Sequence, residues 1–176
     1  MGAPLDQPTQ YRSFCGLLSV KTATDFAASF VLALGVCLIY HNYGSTDPFR
    51  IYCSLFNAIG VAAACLSFYG VDSGKPWPLV PLLVYQIMVS IGSFAVFTTA
   101  GYGYKYTQIV CDYAKGDECS FEEVEEMHDR LHRVMRFSFA SFLIFLYLAL
   151  VVKKCYQQLK EEFAAVIPVY VRFDEK

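Results

Sequence analysis

Two histidines four residues apart, His128 and His132, sit in the run His128-Asp129-Arg130-Leu131-His132 and are the side chains here closest to a catalytic signature. On a helix that spacing puts both imidazoles on one face, and an acid after the first gives the outline of a zinc-protease helix. The chemistry needs Glu where Asp129 stands, because a shorter carboxylate displaces the general base. No third ligand is identifiable, and Arg130 and Arg133 make the surroundings cationic. The run therefore reads as a solvated helix face. The seven cysteines contain no C-x-x-C, and the chain has no Walker loop, no Ser-centred elbow and no Gly-rich dinucleotide fingerprint. A non-enzymatic protein with no metal and no cofactor is the expectation.

Other residues offer binding or modification instead. Cys111 and Cys119 flank Ala114-Lys115-Gly116-Asp117, a turn that can bring the two sulfurs together. In an oxidising lumen a bridge would close a loop of nine residues. The chain-entropy argument gives such a bridge on the order of 2.5 kcal/mol, and the alternative is two unpaired thiols. Cys15 and Cys155 lie at the ends of the apolar region, where thiols beside a membrane can be palmitoylated. Tyr170-Val171-Arg172-Phe173 fits the Tyr-x-x-bulky-apolar pattern that sorting adaptors read as an extended peptide, with Tyr170 and Phe173 as the contacts. Asp25 is either a cation-handling carboxylate at the membrane edge or a helix-terminal residue complementing the backbone dipole. Asn57 is read as a hydrogen bond between helices, with a ligand role as the alternative.

The elements that carry these residues are set by hydrocarbon. Leu79 to Ala100 contains no Asp, Glu, Lys or Arg, and as a helix it reaches roughly 33 Å, enough to cross a bilayer core. Trp77 precedes it at headgroup depth and Pro81 falls in its first turn. Its polar members, Gln86, Ser90, Ser93 and Thr98, are expected to turn toward neighbouring helices. Thr22 and Asp25 have capping-box spacing and predict a helix start before the uncharged run Phe26 to Tyr40. A third uncharged run, Ile51 to Val71, lies between Arg50 and Asp72, and within it Ser54, Ala58 and Ala62 recur every four residues as a helix-packing row, within the bundle or toward a partner subunit. The turn-rich connection from Asp72 to Pro78 makes the second and third spans an antiparallel hairpin.

Ser120 and Glu123 open a second capping box, followed by Val124, Met127, Leu131 and Val134 at helical spacing. Phe137 to Val152 is only sixteen uncharged residues. The fourth crossing therefore borrows Val134, Met135 and a snorkelling Arg136, and projects from the membrane as an acidic stub. The expected organisation is an N-terminal segment 1–21, a four-span domain 22–155 and a tail 156–176, with spans at about 24–42, 51–71, 79–100 and 134–153 and an outer loop 101–133. The tail begins as a charged helical stretch and is broken by Pro168.

Composition agrees with a lipid solvent. The chain is 56% hydrophobic and 17% charged, with a mean hydropathy of +0.39, where a soluble domain carries nearer about 25% charged residues. A net charge of −2 supplies no basic stripe for nucleic acid. The start lacks the basic flank and cleavage site of a secretory signal, so the first apolar segment is expected to remain as an anchor; Asp6 stands where a myristoylation motif at Gly2 wants Ser or Thr. With four spans, eight Lys or Arg fall on the side of the termini against six on the other, so both termini are expected in the cytosol.

Cys15-Gly16-Leu17-Leu18-Ser19-Val20-Lys21-Thr22 resembles the entrance to the first span of the lysosome-associated tetraspan transmembrane proteins (LAPTM-like) and their invertebrate relatives. Gly70-Val71, Lys75-Pro76-Trp77 and Val80-Pro81-Leu82-Leu83-Val84-Tyr85-Gln86 resemble that family's passage into the third span, and Tyr156-Gln157-Gln158-Leu159-Lys160-Glu161-Glu162 the segment after its fourth. These pieces touch most of the chain in matching order. Ala23 departs from the family's Gly, and Ile167-Pro168-Val169-Tyr170 carries one proline where better-known members recruit ubiquitin ligases through a Pro-Pro-x-Tyr-like tail. The resemblance implies an endosomal or lysosomal membrane protein, both termini cytosolic, acting as adaptor or regulator of sorting and transport. Its partners would be membrane lipids, other membrane proteins and, through the tail, sorting adaptors. The alternative role is an auxiliary subunit of a channel, transporter or lipid-transfer assembly, and the alternative locations are the plasma membrane and the endoplasmic reticulum. The fold class expected is all-α: a four-transmembrane antiparallel bundle with its fourth helix extended into the lumenal or extracellular side.

Overall fold

Four helices of the computed structural model are long and apolar enough to cross a membrane: Val20–His41, Pro48–Asp72, Trp77–Lys105 and Phe121–Ala164. The protein is a multi-pass, all-α, four-span membrane helix bundle. The structure describes residues 12–13, 18–116 and 118–171, with side chains described to Ala164. A short antiparallel pairing of β1 (Arg12–Ser13) with β2 (Leu18–Ser19) leads into α1 (Val20–His41). α2 (Pro48–Asp72), a 3-10 turn (Trp77–Leu79), α3 (Val80–Lys105), α4 (Thr107–Lys115) and α5 (Phe121–Val171) follow.

Large apolar side chains cover the outside of the spans. Phe26 is 62% exposed, Ile59 63%, Ile91 60% and Phe137 74%, an exposure that is costly in water and that lipid covers. Each span starts and stops for local reasons. Ser19 caps α1, its side chain accepting from the Thr22 amide at 3.1 Å. The helix thus begins earlier than the expected Thr22–Asp25 box, and Asp25 lies inside it. Asp47 caps α2 by accepting from the Phe49 amide at 3.0 Å, with Pro48 in the first position, where a missing N–H is harmless. Gly74, at φ 68°, makes the left-handed turn that closes the α2–α3 hairpin, and the Lys75 amide reaches back to the Gly70 carbonyl at 3.0 Å.

The described residues divide into two compact units. One holds residues up to Tyr85 and from Leu148 onward. In it α1 packs along α2, and Leu148, Val151, Val152, Cys155 and Leu159 form the buried stripe of α5 at helical spacing. Backbones approach at small residues: Gly35 of α1 abuts Val61, and Gly70 abuts Leu79.

The other unit runs from Gln86 to Tyr147. There α3 and α5 run antiparallel through an aromatic ladder, Phe94 against Phe142 with ring centroids 5.3 Å apart and Phe97 against Phe139 at 5.2 Å. Gly103 admits Leu131 further along the same contact. Of the polar residues of α3, Gln86 and Ser90 are buried as expected. Thr98 is exposed and satisfies its hydroxyl locally, donating to the Ala95 carbonyl at 2.9 Å.

Candidate functional site

The segment outside the fourth crossing is built as a clip. α4 ends at Gly116, whose φ of 80° gives a left-handed cap and whose amide donates to the Asp112 carbonyl at 2.9 Å. The Asp112 side chain then accepts the Cys119 amide at 2.8 Å, and Cys111 and Cys119 are joined in a disulfide, S–S 2.02 Å. One residue later the expected capping box forms. The Glu123 amide donates to Ser120 Oγ at 3.4 Å, and Ser120 N–H and hydroxyl donate to Glu123 Oε2 at 2.9 and 3.0 Å.

Lys115, at the end of α4, donates to both Glu123 oxygens at 2.6 and 2.9 Å. Those bonds, with the Ser120 amide and hydroxyl, hold the Glu123 carboxyl down at about 2. The bridge ties α4 to the segment that enters α5, and the ion pair ties α4 to the first turn of α5.

The two histidines are spent inside this unit. The His128 ring lies 3.9 Å, centroid to centroid, from the Tyr104 ring, and its Nδ1 is 3.3 Å from Thr107 Oγ1. The Thr107 hydroxyl also donates to the Tyr104 carbonyl at 2.8 Å. His132 is 5.7 Å from Tyr104, and its Nε2 accepts from Arg136 Nε–H at 3.3 Å. Among the described residues no group of three or more His, Cys, Asp or Glu is arranged for a metal.

At the other end of α5, Lys21 Nζ bonds Glu162 Oε2 at 2.9 Å, and Gln158 donates to Glu162 Oε1 at 2.7 Å. Partial burial pushes the Glu162 carboxyl up, but the bonds from Lys21 and Gln158 and the Lys21 charge outweigh it, leaving it below the ordinary value. Cys155 lies beside Thr24 with no exposure. The Cys155 thiol, expected as a palmitoylation site, is thus turned away from the surface in this fold. Cys15 lies outside the described residues.

The small-residue row of α2 faces outward, the side expected of a contact with a partner subunit rather than within the bundle. Ser54 is half-buried and donates to the Arg50 carbonyl at 3.0 Å, while Ala58 and Ala62 are exposed. The buried small residues of α2 are Gly60, Ala63, Ala64, Ser67 and Gly70. Sequence reasoning missed this second row because both rows repeat at helical spacing, and only the partner's side chain distinguishes them. Asn57 does meet a neighbouring helix, its Oδ1 accepting from Tyr85 Oη at 3.3 Å.

Of the expected sorting residues, Tyr170 falls near the end of α5. The helix backbone continues through Pro168 and Tyr170 to Val171, a correction to the expected break at Pro168. The Tyr170 side chain and Phe173 lie outside the described portion. The chain matches no protein-family model, no curated protein and no solved structure.

Proposed function

We propose that this chain is a non-enzymatic tetraspan membrane protein of endosomes or lysosomes, with both termini in the cytosol, acting as an adaptor or regulator of sorting and transport. The observation that carries the reading is the Cys111–Cys119 disulfide in the clip beyond the third span. Disulfides persist in oxidising compartments, which favours a lumenal clip. Four crossings then return head and tail to the cytosol, where Tyr170 and Phe173 are available to adaptors and Lys153 and Lys154 satisfy the positive-inside preference. The ordered resemblance to the lysosome-associated tetraspan proteins supports the same assignment.

The test is location. Replacing Tyr170 and Phe173 with Ala is expected to shift the protein from endolysosomes to the cell surface. Tags at Met1 and Lys176 are expected to react with antibody only after the plasma membrane is permeabilised. Unchanged location, or a tag exposed on intact cells, would overturn the proposal.

A second reading, the auxiliary subunit, draws on the outward row of Ala58 and Ala62 with Ser54 at its edge, which a partner helix can approach closely. Stoichiometric co-purification with one large membrane partner, abolished by Ala58→Leu, would favour it over the adaptor.

A further inference from the structure

An apolar groove of about 650 Å3 opens beside the outer half of α3, a volume within the ordinary ligand range. Ala95 and Thr99 of α3, Val110 of α4, and Leu131 and Val134 of α5 line it. Gly103 is part of the wall, and a Cβ there would stand 3.3 Å from Leu131, so the glycine sets how closely α3 and α5 meet at this level. Tyr102 and Tyr106, stacked with centroids 6.3 Å apart, stand at the groove and also border a neighbouring one of about 460 Å3 that ends at Lys105.

Depth identifies the occupant's chemistry. Residues 76–104 carry no charge, and Lys105 is the first charged residue after Lys75. The groove therefore starts at hydrocarbon depth near Ala95. From Thr99 to Lys105 the helix rises about 9 Å, roughly from the acyl region to the headgroups. Water is a poor filler, because a buried water needs two to four polar partners and the walls are almost wholly apolar. An empty void forfeits dispersion contacts along its whole lining. A hydrocarbon chain from the bilayer meets neither objection. The end is cationic: Lys105 is exposed, its Nζ stands 5.5 Å from the Tyr106 ring centroid, and it has no carboxylate partner among the described residues.

The geometry points to a binding site for an anionic membrane phospholipid, with one acyl chain in the groove between Thr99 and Leu131 and its phosphate at Lys105, level with Tyr102 and Tyr106. The tail is not driven there by the hydrophobic effect, since the bilayer is equally apolar. Void filling and the lysine's charge select it. The site stands independently of the adaptor proposal, since it requires only an anionic phospholipid in the leaflet at the Lys105 end of α3 and not a particular organelle.

The experiment uses the full chain in phosphatidylcholine nanodiscs carrying a trace of phosphatidylserine or phosphatidylcholine with a photoactivatable acyl chain. The phosphatidylserine probe is expected to label the peptides holding Ala95–Tyr106 and Leu131–Val134 about fivefold more than the phosphatidylcholine probe, the preference one lysine near a headgroup confers. Lys105→Gln should lower phosphatidylserine labelling there to the phosphatidylcholine level. Thr99→Phe, at an exposed position, should lower both there while labelling around Ile59 stays unchanged. Val96→Phe, also on the groove and exposed, repeats that arm if Thr99→Phe fails to fold. Equal labelling by the two probes, labelling spread evenly over every lipid-facing helix, or indifference to Lys105→Gln would overturn the site.

Discussion

The ring of Tyr85 lies directly on Gly60, closer than any side chain at position 60 would permit. The same tyrosine stacks on Phe56 at 5.1 Å and donates its hydroxyl to Asn57, so one residue of α3 makes three contacts within about one turn of α2. In lipid such packing replaces the hydrophobic effect as the force between helices.

Gly60→Ala is therefore expected to destabilise the protein by about 1–3 kcal/mol, the range for overpacking, despite the helix preference for alanine. Gly92 supplies the contrast: nothing lies near its would-be Cβ. Gly92→Ala should stabilise by up to about 1 kcal/mol. Thermal unfolding of the two variants in one detergent checks both signs, and equal shifts would refute the close contact.

Removal of the Cys111–Cys119 bridge should cost about 2.5 kcal/mol, the loop-closure value for a nine-residue ring. Cys111→Ser with Cys119→Ser should unfold earlier than the parent, and a reducing agent should move the parent toward the variant and leave the variant unchanged. Calorimetry with and without reductant reads this directly.

The Lys115–Glu123 clamp has a defined pH window. Glu123 is held at about 2, below its ordinary value of 4.5. A depressed carboxylate contributes fully above its unfolded value and loses that contribution as the pH falls toward the folded one. The stability difference between the parent and Glu123→Gln should hence be flat from neutrality to the acidity of a lysosome, about pH 5, and shrink only below the ordinary carboxylate value. A difference that already falls between pH 7 and about 5 would contradict the geometry.

Gln86 is wholly buried with neither amide atom partnered among the described residues. An unsatisfied buried amide costs about 1–3 kcal/mol, so Gln86→Met, similar in length and lacking the amide, should raise the unfolding temperature. A lowered one would reveal a polar partner for that amide.

Adaptors read their tyrosine motif as an extended strand, yet the backbone of α5 is helical through Tyr170. Under the proposed adaptor role, capture would have to melt the last turns, and Pro168, which lacks an N–H, weakens them. Pro168→Ala should strengthen that end by about 3 kcal/mol and reduce adaptor binding to the full-length protein in a pull-down. Binding that is unchanged or improved would sink the extended-capture step.

The sequence alone determined four crossings and the Ser120–Glu123 start of α5, and it put Cys111 within reach of Cys119, because each depends on neighbours along the chain. Uncharged length answers to bilayer thickness, a cap answers to the amides of its own first turn, and a nine-residue loop keeps its ends near one another. Tertiary structure decided which of two small-residue rows on α2 meets a helix, that Cys155 turns inward, and that Tyr104 claims the histidines. Those outcomes depend on the rotation of one helix against another. A span apolar on every side leaves that rotation unwritten, and it is settled only where a ring such as that of Tyr85 finds a glycine beneath it.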